Sequence, residues 1–227
     1  MKLPYSGHLK RPNGPLLLCY ITSRRQFSGG PDDQMRQLLG KIEECVAAGI
    51  DFIQLREKDL SARALEELAG AAVRLFPPGG AARLLINSRL DVALACQAHG
   101  VHLPAHDLSA SEARAILARA GCDHPVIGVS VHSVEELAHA EAHGAGFAVF
   151  APVFEKEGRT ISDGIKKLEQ ACQSPNRDMP VLALGGITLE NARQCMHAGA
   201  DGIAAIRLFQ ENDVATVARS LREVQFS

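Results

Sequence analysis

Gln54, Arg56 and Lys58 recur at every second residue in the run Gln54-Leu55-Arg56-Glu57-Lys58. The run follows the apolar pair Phe52-Ile53 and reads as the end of a buried strand. A side-chain period of two turns the amide and both cations to one side and Leu55 and Glu57 to the other. Arginine supplies a planar fork and lysine a compact point charge, so the row suits an anion with several oxygens. A solvated strand end with a local Glu57–Lys58 ion pair accounts for the same residues without any ligand. The surroundings of the row must decide between the two.

A second anion site is indicated by Gly185-Gly186-Ile187-Thr188, read as lying directly before a helix, where backbone N–H groups and the helix dipole hold phosphates. Arg207, expected at the end of the last strand, would add a charged fork; otherwise the glycines only make a tight turn and Arg207 faces solvent. Asn87 and Ser88 close one predicted strand and His102 belongs to the next. Asp107, four residues past that strand, is either a loop acid or cap, or a ligand for Mg²⁺, which commonly takes one or two carboxylates plus substrate phosphates. Ser130 and His132 are two apart and share a side. His132 suits acid–base work near neutral pH, or else caps the next helix or bonds a backbone carbonyl. His99, His139, His143 and His197 fall late on predicted helices, where exposure and dipole pairing account for them.

The elements that must position these groups alternate along the chain. Short apolar runs at 16–22, 51–57, 84–86, 100–103, 126–131, 147–153, 180–184 and 202–208 read as strands, continuous in hydrophobicity as expected of a parallel sheet buried on both faces. Helical spacing fills the intervals. It begins after Asp32 or Asp33, Ser61, Arg89, Ser109, Ser133, Asp163, Thr188 and Asn212 or Asp213, residues of which most are good caps. Four helix ends look alike, each running from helix through a glycine stop into a strand, as around Gly49, Gly100, Gly144 and Gly199. Eight strands and eight helices without a dividing linker predict an α/β fold, a single-domain (β/α)₈ barrel over 16–227 behind an N-terminal arm at 1–15. An open doubly wound sheet is the competing architecture. The polar segment 155–162 is expected to be a long mobile loop. In a barrel, active sites form at the carboxyl ends of the strands, which is where all the candidate residues fall.

Composition narrows the function classes. The chain has 227 residues, 46% hydrophobic and 22% charged, with a net charge of −2, so no basic field marks it for bulk nucleic-acid binding. Its six cysteines are scattered without a CxxC pair, which fits buried reduced thiols better than disulfides or zinc ligands. Residues 1–15 carry Lys2, Lys10 and Arg11 without the apolar stretch of a signal peptide, and no run approaches a membrane span. The expected location is cytoplasmic, with no nucleic-acid or membrane partner; a homodimer is compatible.

Several ordered motifs resemble one known superfamily: QLREKD (54–59), Asn87 followed by Arg89-Leu90-Asp91, GVHLPAHDL (100–108), IGVSVHS (127–133), PVF (152–154), LGGIT (184–188) and AGADGIA (198–204). They look like thiamine phosphate synthase and its relative TenI, a thiazole tautomerase. The resemblance runs from about residue 16 to the end. It implies a (β/α)₈ barrel that joins hydroxymethylpyrimidine diphosphate to a thiazole phosphate and releases pyrophosphate, with Mg²⁺ and cationic side chains stabilising the leaving group. On this chain it implies that Gln54, Arg56 and Lys58 bind the diphosphate, Asn87 the substrate and Asp107 the metal. Ser130 would lie beside the pyrimidine diphosphate, and Gly186 would hold the thiazole phosphate. Three departures stand out. Ser88 occupies the position of a second Mg²⁺-binding aspartate, the loop after Pro152-Val153-Phe154 carries Glu155 and Glu157 where the synthase has hydroxyls and a lysine, and Arg207 replaces a small residue. These lean toward the tautomerase, in which His132 would move the proton and no metal is needed. The intact Gln54/Arg56/Lys58 row and Asp107 favour the synthase. A barrel that binds ligand without catalysis is the remaining alternative.

Overall fold

Residues 16–154, 163–173 and 177–224 are described by a computed structural model. The expected arm at 1–15 and the expected loop at 155–162 lie outside the described residues. Eight strands form: β1 (Leu17–Ile21), β2 (Phe52–Leu55), β3 (Arg83–Asn87), β4 (Gly100–Leu103), β5 (Val126–Val131), β6 (Phe147–Phe150), β7 (Val181–Ala183) and β8 (Gly202–Ala205). Each pairs in parallel with its neighbours in the chain, and β8 returns to β1, closing the barrel that the alternation predicts.

The helices are α1 (Pro31–Ala47), α2 (Ala62–Val73), α3 (Leu90–Ala95), α4 (Ala110–Arg119), α5 (Val134–Ala142), α6 (Gly164–Cys172), α7 (Ala192–His197), α8 (Arg207–Gln210) and α9 (Val214–Val224). The expected serine caps work as local chemistry dictates. Ser61, Ser109 and Ser133 accept the N–H groups of Ala64, Glu112 and Glu136, satisfying donors that the first helical turn leaves free. No helix among the described residues is long and apolar enough to cross a membrane.

Strand alternation sorts the core into two layers. Cys19, Ile21, Phe52, Leu85, Val126, Phe147, Val149, Leu182 and Ala204 point inward and fill the barrel, with Phe52 and Phe147 stacked at 4.4 Å. The alternate strand residues, among them Leu18, Ile53, Ile86, Val101 and Ile203, pack outward against the helices. Pairing register then aligns Asn87, His102, Gly128 and Phe147 across β3 to β6, one inward step beyond Leu85, Gly100 and Val126 toward the carboxyl ends.

Two strands end earlier than their apolar runs suggest. β2 stops at Leu55 rather than Glu57 because Glu57 turns aside to bind Thr22 and Arg24. β8 stops at Ala205 rather than Leu208. The chain coils there into α8, which buries Phe209 edge-on to Tyr20 at 6.4 Å and brings the Gln210 side-chain oxygen to the Tyr20 hydroxyl at 2.9 Å. α8 is thus additional to the eight helices expected.

Candidate active site

The inward positions at the carboxyl ends of β2 to β5 are polar, and they are linked in pairs. Gln54, only 2% exposed, donates from Nε2 to Asn87 Oδ1 at 2.8 Å, and Asn87 Nδ2 donates to Ser88 Oγ at 3.0 Å. Ser88 sits at φ 61°, a left-handed conformation that is uncommon outside glycine, and its N–H bonds the His102 carbonyl. Across β4 and β5, His102 Nε2 lies 2.9 Å from Ser130 Oγ. Room for the imidazole comes from Gly128 on the neighbouring strand, where a Cβ would meet His102 Nδ1 at 2.7 Å and Phe147 Cζ at 2.5 Å.

His102 is 1% exposed, and burial pushes its pKa down to about 3, helped by the positive charge of Arg56. The ring is therefore neutral, with one N–H to place. Nδ1 is buried without a partner among the described residues. A buried lone pair left alone is tolerated better than a buried N–H left alone, so the proton belongs on Nε2, donating to Ser130. Ser130 Oγ then accepts from the histidine and keeps its own O–H to donate to a ligand at the mouth.

The Gln54/Arg56/Lys58 row does not stay on one strand. Gln54 is the only member on the strand; Arg56 follows it half-buried, its N–H donating to Thr22 Oγ1 at 2.9 Å, and Lys58 stands exposed in a turn. Glu57 is 5% exposed and forms an ion pair with Arg24 at 3.1 Å, so the local Glu57–Lys58 pair is not what occupies it.

Gly185 and Gly186 take φ 112° and 60°, and a Cβ on Gly185 would come 3.1 Å from both Pro152 Cα and Val153 N. Val153 and Phe154 donate their N–H groups to Leu184 and Gly185, fastening the segment after β6 to this bend. The expectation of a helix starting directly after the glycines needs correction. α7 begins only at Ala192, because Asn191 folds back: its Oδ1 accepts from Thr188 N–H at 2.8 Å and its Nδ2 donates to Gly186 O at 2.9 Å. A phosphate here would meet a glycine bend of backbone N–H groups, not a helix terminus. Arg207 likewise is not at a strand end; it is the exposed first residue of α8.

Asp107 is exposed, its Oδ1 accepting the N–H of Leu108, and the cap of α4 is Ser109. Among the described residues no group of three or more His, Cys, Asp or Glu side chains stands ready to hold a metal ion. His132 is exposed, with Nδ1 2.6 Å from the Ala151 carbonyl. A carbonyl can only accept, so Nδ1 carries a proton and Nε2 is the basic nitrogen of the neutral ring. His99 departs from its expected place late on a helix. It follows α3 and is half-buried against Phe76, accepting the Leu84 N–H on Nδ1 at 3.1 Å.

Of the residues singled out from sequence, Gln54, Asn87 and Ser88 are joined by hydrogen bonds, and Ser130 is joined to His102. Lys58, Asp107, His132, Gly185, Gly186 and Arg207 follow the ends of their strands without bonding to that tier. Sequence reasoning gave His102 no role and passed over Arg24. The first was detectable, since Ser130 and His102 both fall on inward positions of adjacent strands; nothing in the local sequence marks the second.

Comparison with known proteins gives a consistent result. The family described as thiamine monophosphate synthase matches residues 19–209. A putative thiamine-phosphate synthase of Geobacter sulfurreducens is 42% identical over 190 residues, covering 83% of this chain and 84% of that protein. The thiamine-phosphate synthase of Moorella thermoacetica is 34% identical over 212 residues, covering 90% and 94%. Among solved structures, thiamine phosphate pyrophosphorylase from Pyrococcus furiosus superposes with a TM-score of 0.74 at 31% identity, covering 93% of this chain and 96% of that one.

Proposed function

Starting from the fact that the chain belongs to the thiamine monophosphate synthase family, we propose that it is a thiamine-phosphate synthase-like transferase. It joins hydroxymethylpyrimidine diphosphate to thiazole phosphate and releases pyrophosphate. In this reading the bond between the pyrimidine methylene carbon and the diphosphate oxygen breaks, and its electron pair leaves with the diphosphate. The thiazole nitrogen lone pair then forms the new bond to that carbon. The largest demand is on charge at the leaving group, which preorganised donors and cations meet best. Arg56 and Lys58 neutralise the diphosphate, Gln54 and Asn87 orient the pyrimidine substrate, and Ser130 donates its hydroxyl proton beside the departing oxygen. The glycine bend at Gly185-Gly186, with Arg207, holds the thiazole phosphate.

The donor set fits Mg²⁺ in the mode that uses one carboxylate plus substrate phosphates, with Asp107 as the carboxylate. Ser88 adds little, since its hydroxyl already accepts from Asn87. When bound, the ion would supply further neutralisation of the diphosphate.

The observation that carries this reading is the polar tier at the carboxyl ends of β2 to β5, the part-buried Gln54–Asn87 hydrogen bond and the His102–Ser130 pair. A single phosphate would not need both this tier and the separate glycine bend. Purified protein given both substrates and Mg²⁺ should form thiamine phosphate and pyrophosphate, and Lys58→Ala should lower kcat on the order of 10²-fold. No product at any Mg²⁺ concentration refutes the proposal. A cytoplasmic location and a homodimer belong to the same reading, the second tested by light scattering.

One observation favours a second reading, thiazole tautomerase. The Ala151 carbonyl fixes the His132 tautomer with Nε2 as base. That activity would run without metal and fall in His132→Ala; turnover undiminished in that variant excludes His132 as the proton carrier. Ligand binding with neither reaction would make the chain a non-catalytic barrel.

A further inference from the structure

Arg24 is charged, lies in the loop between β1 and α1, and is only 8% exposed. Its Nη1 and Nη2 each bond an oxygen of Asp59 at 2.7 Å, and Nη1 also reaches Glu57 Oε2 at 3.1 Å. Its backbone N–H is shared between both Glu57 oxygens at 3.1 Å. Thr22 Oγ1 completes the set, donating to Glu57 at 2.6 Å and accepting the Arg56 N–H. The loop that carries Arg24 is fastened a second time, where Gln210 donates to the Ser23 carbonyl while accepting from Tyr20.

Burying an arginine against two carboxylates is a weak way to gain stability, because desolvation consumes most of the Coulomb gain. What the arrangement does achieve is geometric. Glu57 and Asp59 flank Lys58 in the turn after β2, and the Arg56 N–H is held through Thr22, so the fork on the two acids fixes the backbone from which both cations project. It also ties up two negative charges that would otherwise oppose an anion at the mouth.

We propose that Arg24 is a positioning residue for the anion site, clamping Glu57 and Asp59 against the β1–α1 loop so that Arg56 and Lys58 present a fixed pair of cations to a diphosphate. The inference rests on the reading of that row as the diphosphate site. The strong pull of Arg24 on Asp59, whose carboxyl is held down to about 2, accords with a tightly made fork.

Inorganic pyrophosphate is the probe, with affinity measured by titration calorimetry on the full chain. Arg24→Ala leaves Glu57 buried without its cation and risks misfolding, so Asp59→Asn and Arg24→Lys carry the test beside Arg56→Ala and Lys58→Ala. Deleting the Asp59 charge near an anion site should tighten binding on electrostatics alone. The clamp predicts the opposite sign, a weakening of about tenfold in Asp59→Asn and more in Arg24→Lys, since a displaced cation costs up to about 10²-fold. The clamp also predicts that Asp59→Asn adds little once Lys58 is already alanine. Normal losses in Arg56→Ala and Lys58→Ala with equal or tighter binding in Asp59→Asn and Arg24→Lys would overturn the clamp alone. Unchanged affinity in Arg56→Ala and Lys58→Ala would overturn the diphosphate reading, and the clamp with it.

Discussion

Replacing His102 by glutamine should flatten the acid side of the stability curve. Burial holds the folded-state imidazole to about 3, whereas in the unfolded chain it titrates near 6.5. Between those values the unfolded state binds a proton that the folded state refuses, so stability is full above about 6.5 and falls as the pH drops toward 3. The slope for one such group is about 1.4 kcal/mol per pH unit. Acidifying from pH ~6.5 to pH ~5 should therefore cost about 2 kcal/mol through His102 alone, a large part of the ~5–15 kcal/mol that holds a typical domain together. His99, held down to about 4 by burial and by the charge of Arg83, contributes a parallel slope that both proteins keep. Glutamine carries no titrating group and can still reach Ser130 with its amide. The assay is urea unfolding followed by circular dichroism at a series of pH values. The variant should begin less stable near neutrality, having lost the ring contact with Phe147. It should then close the gap on the wild type by about 2 kcal/mol over that interval. Parallel curves would refute the argument that the barrel keeps His102 neutral by burial.

Two further substitutions test the mouth of the barrel. Ser88→Asp should lower the Mg²⁺ concentration needed for half-maximal thiamine phosphate formation by about tenfold, since aspartate tolerates the φ of 61° and adds a hard carboxylate ligand; an unchanged requirement in a Mg²⁺ titration counts against placing the metal beside Asp107. Gly185→Ala should cost about 1–3 kcal/mol because it forces a side chain into φ 112° against Pro152. In kinetics it should raise KM for the thiazole phosphate more than for the diphosphate, and equal effects on both would deny the bend a local role.

The barrel itself was legible because its signals are local. Continuous apolar strands, glycine stops and the serine caps at Ser61, Ser109 and Ser133 each depend on a few neighbouring residues, and all of them appear in the structure. The candidate site was legible in its members more than in its connections. A period of two grouped Gln54 with Arg56 and Lys58, and Ser130 with His132, yet it could not show that Gln54 bonds Asn87 or that Ser130 bonds His102, since these are contacts between strands. The apolar runs overshot at β2 and β8 for a related reason. Past Leu55 the charged Glu57 bonds Arg24, and past Ala205 the chain coils so that Gln210 meets Tyr20, partners that lie far away in sequence.

The residue pattern by itself determined the (β/α)₈ alternation and the carboxyl-end location of the polar groups, because each follows from periodicity and from residue chemistry. Only the tertiary structure decided how the Gln54-to-Lys58 stretch is used. It gave Glu57 to Arg24 rather than to Lys58, moved Lys58 off the strand into a turn, and made Gly185-Gly186 a backbone bend instead of a helix end. Those outcomes depend on which side chains distant in sequence reach one another once the sheet closes, and closure is a property of all eight strands together.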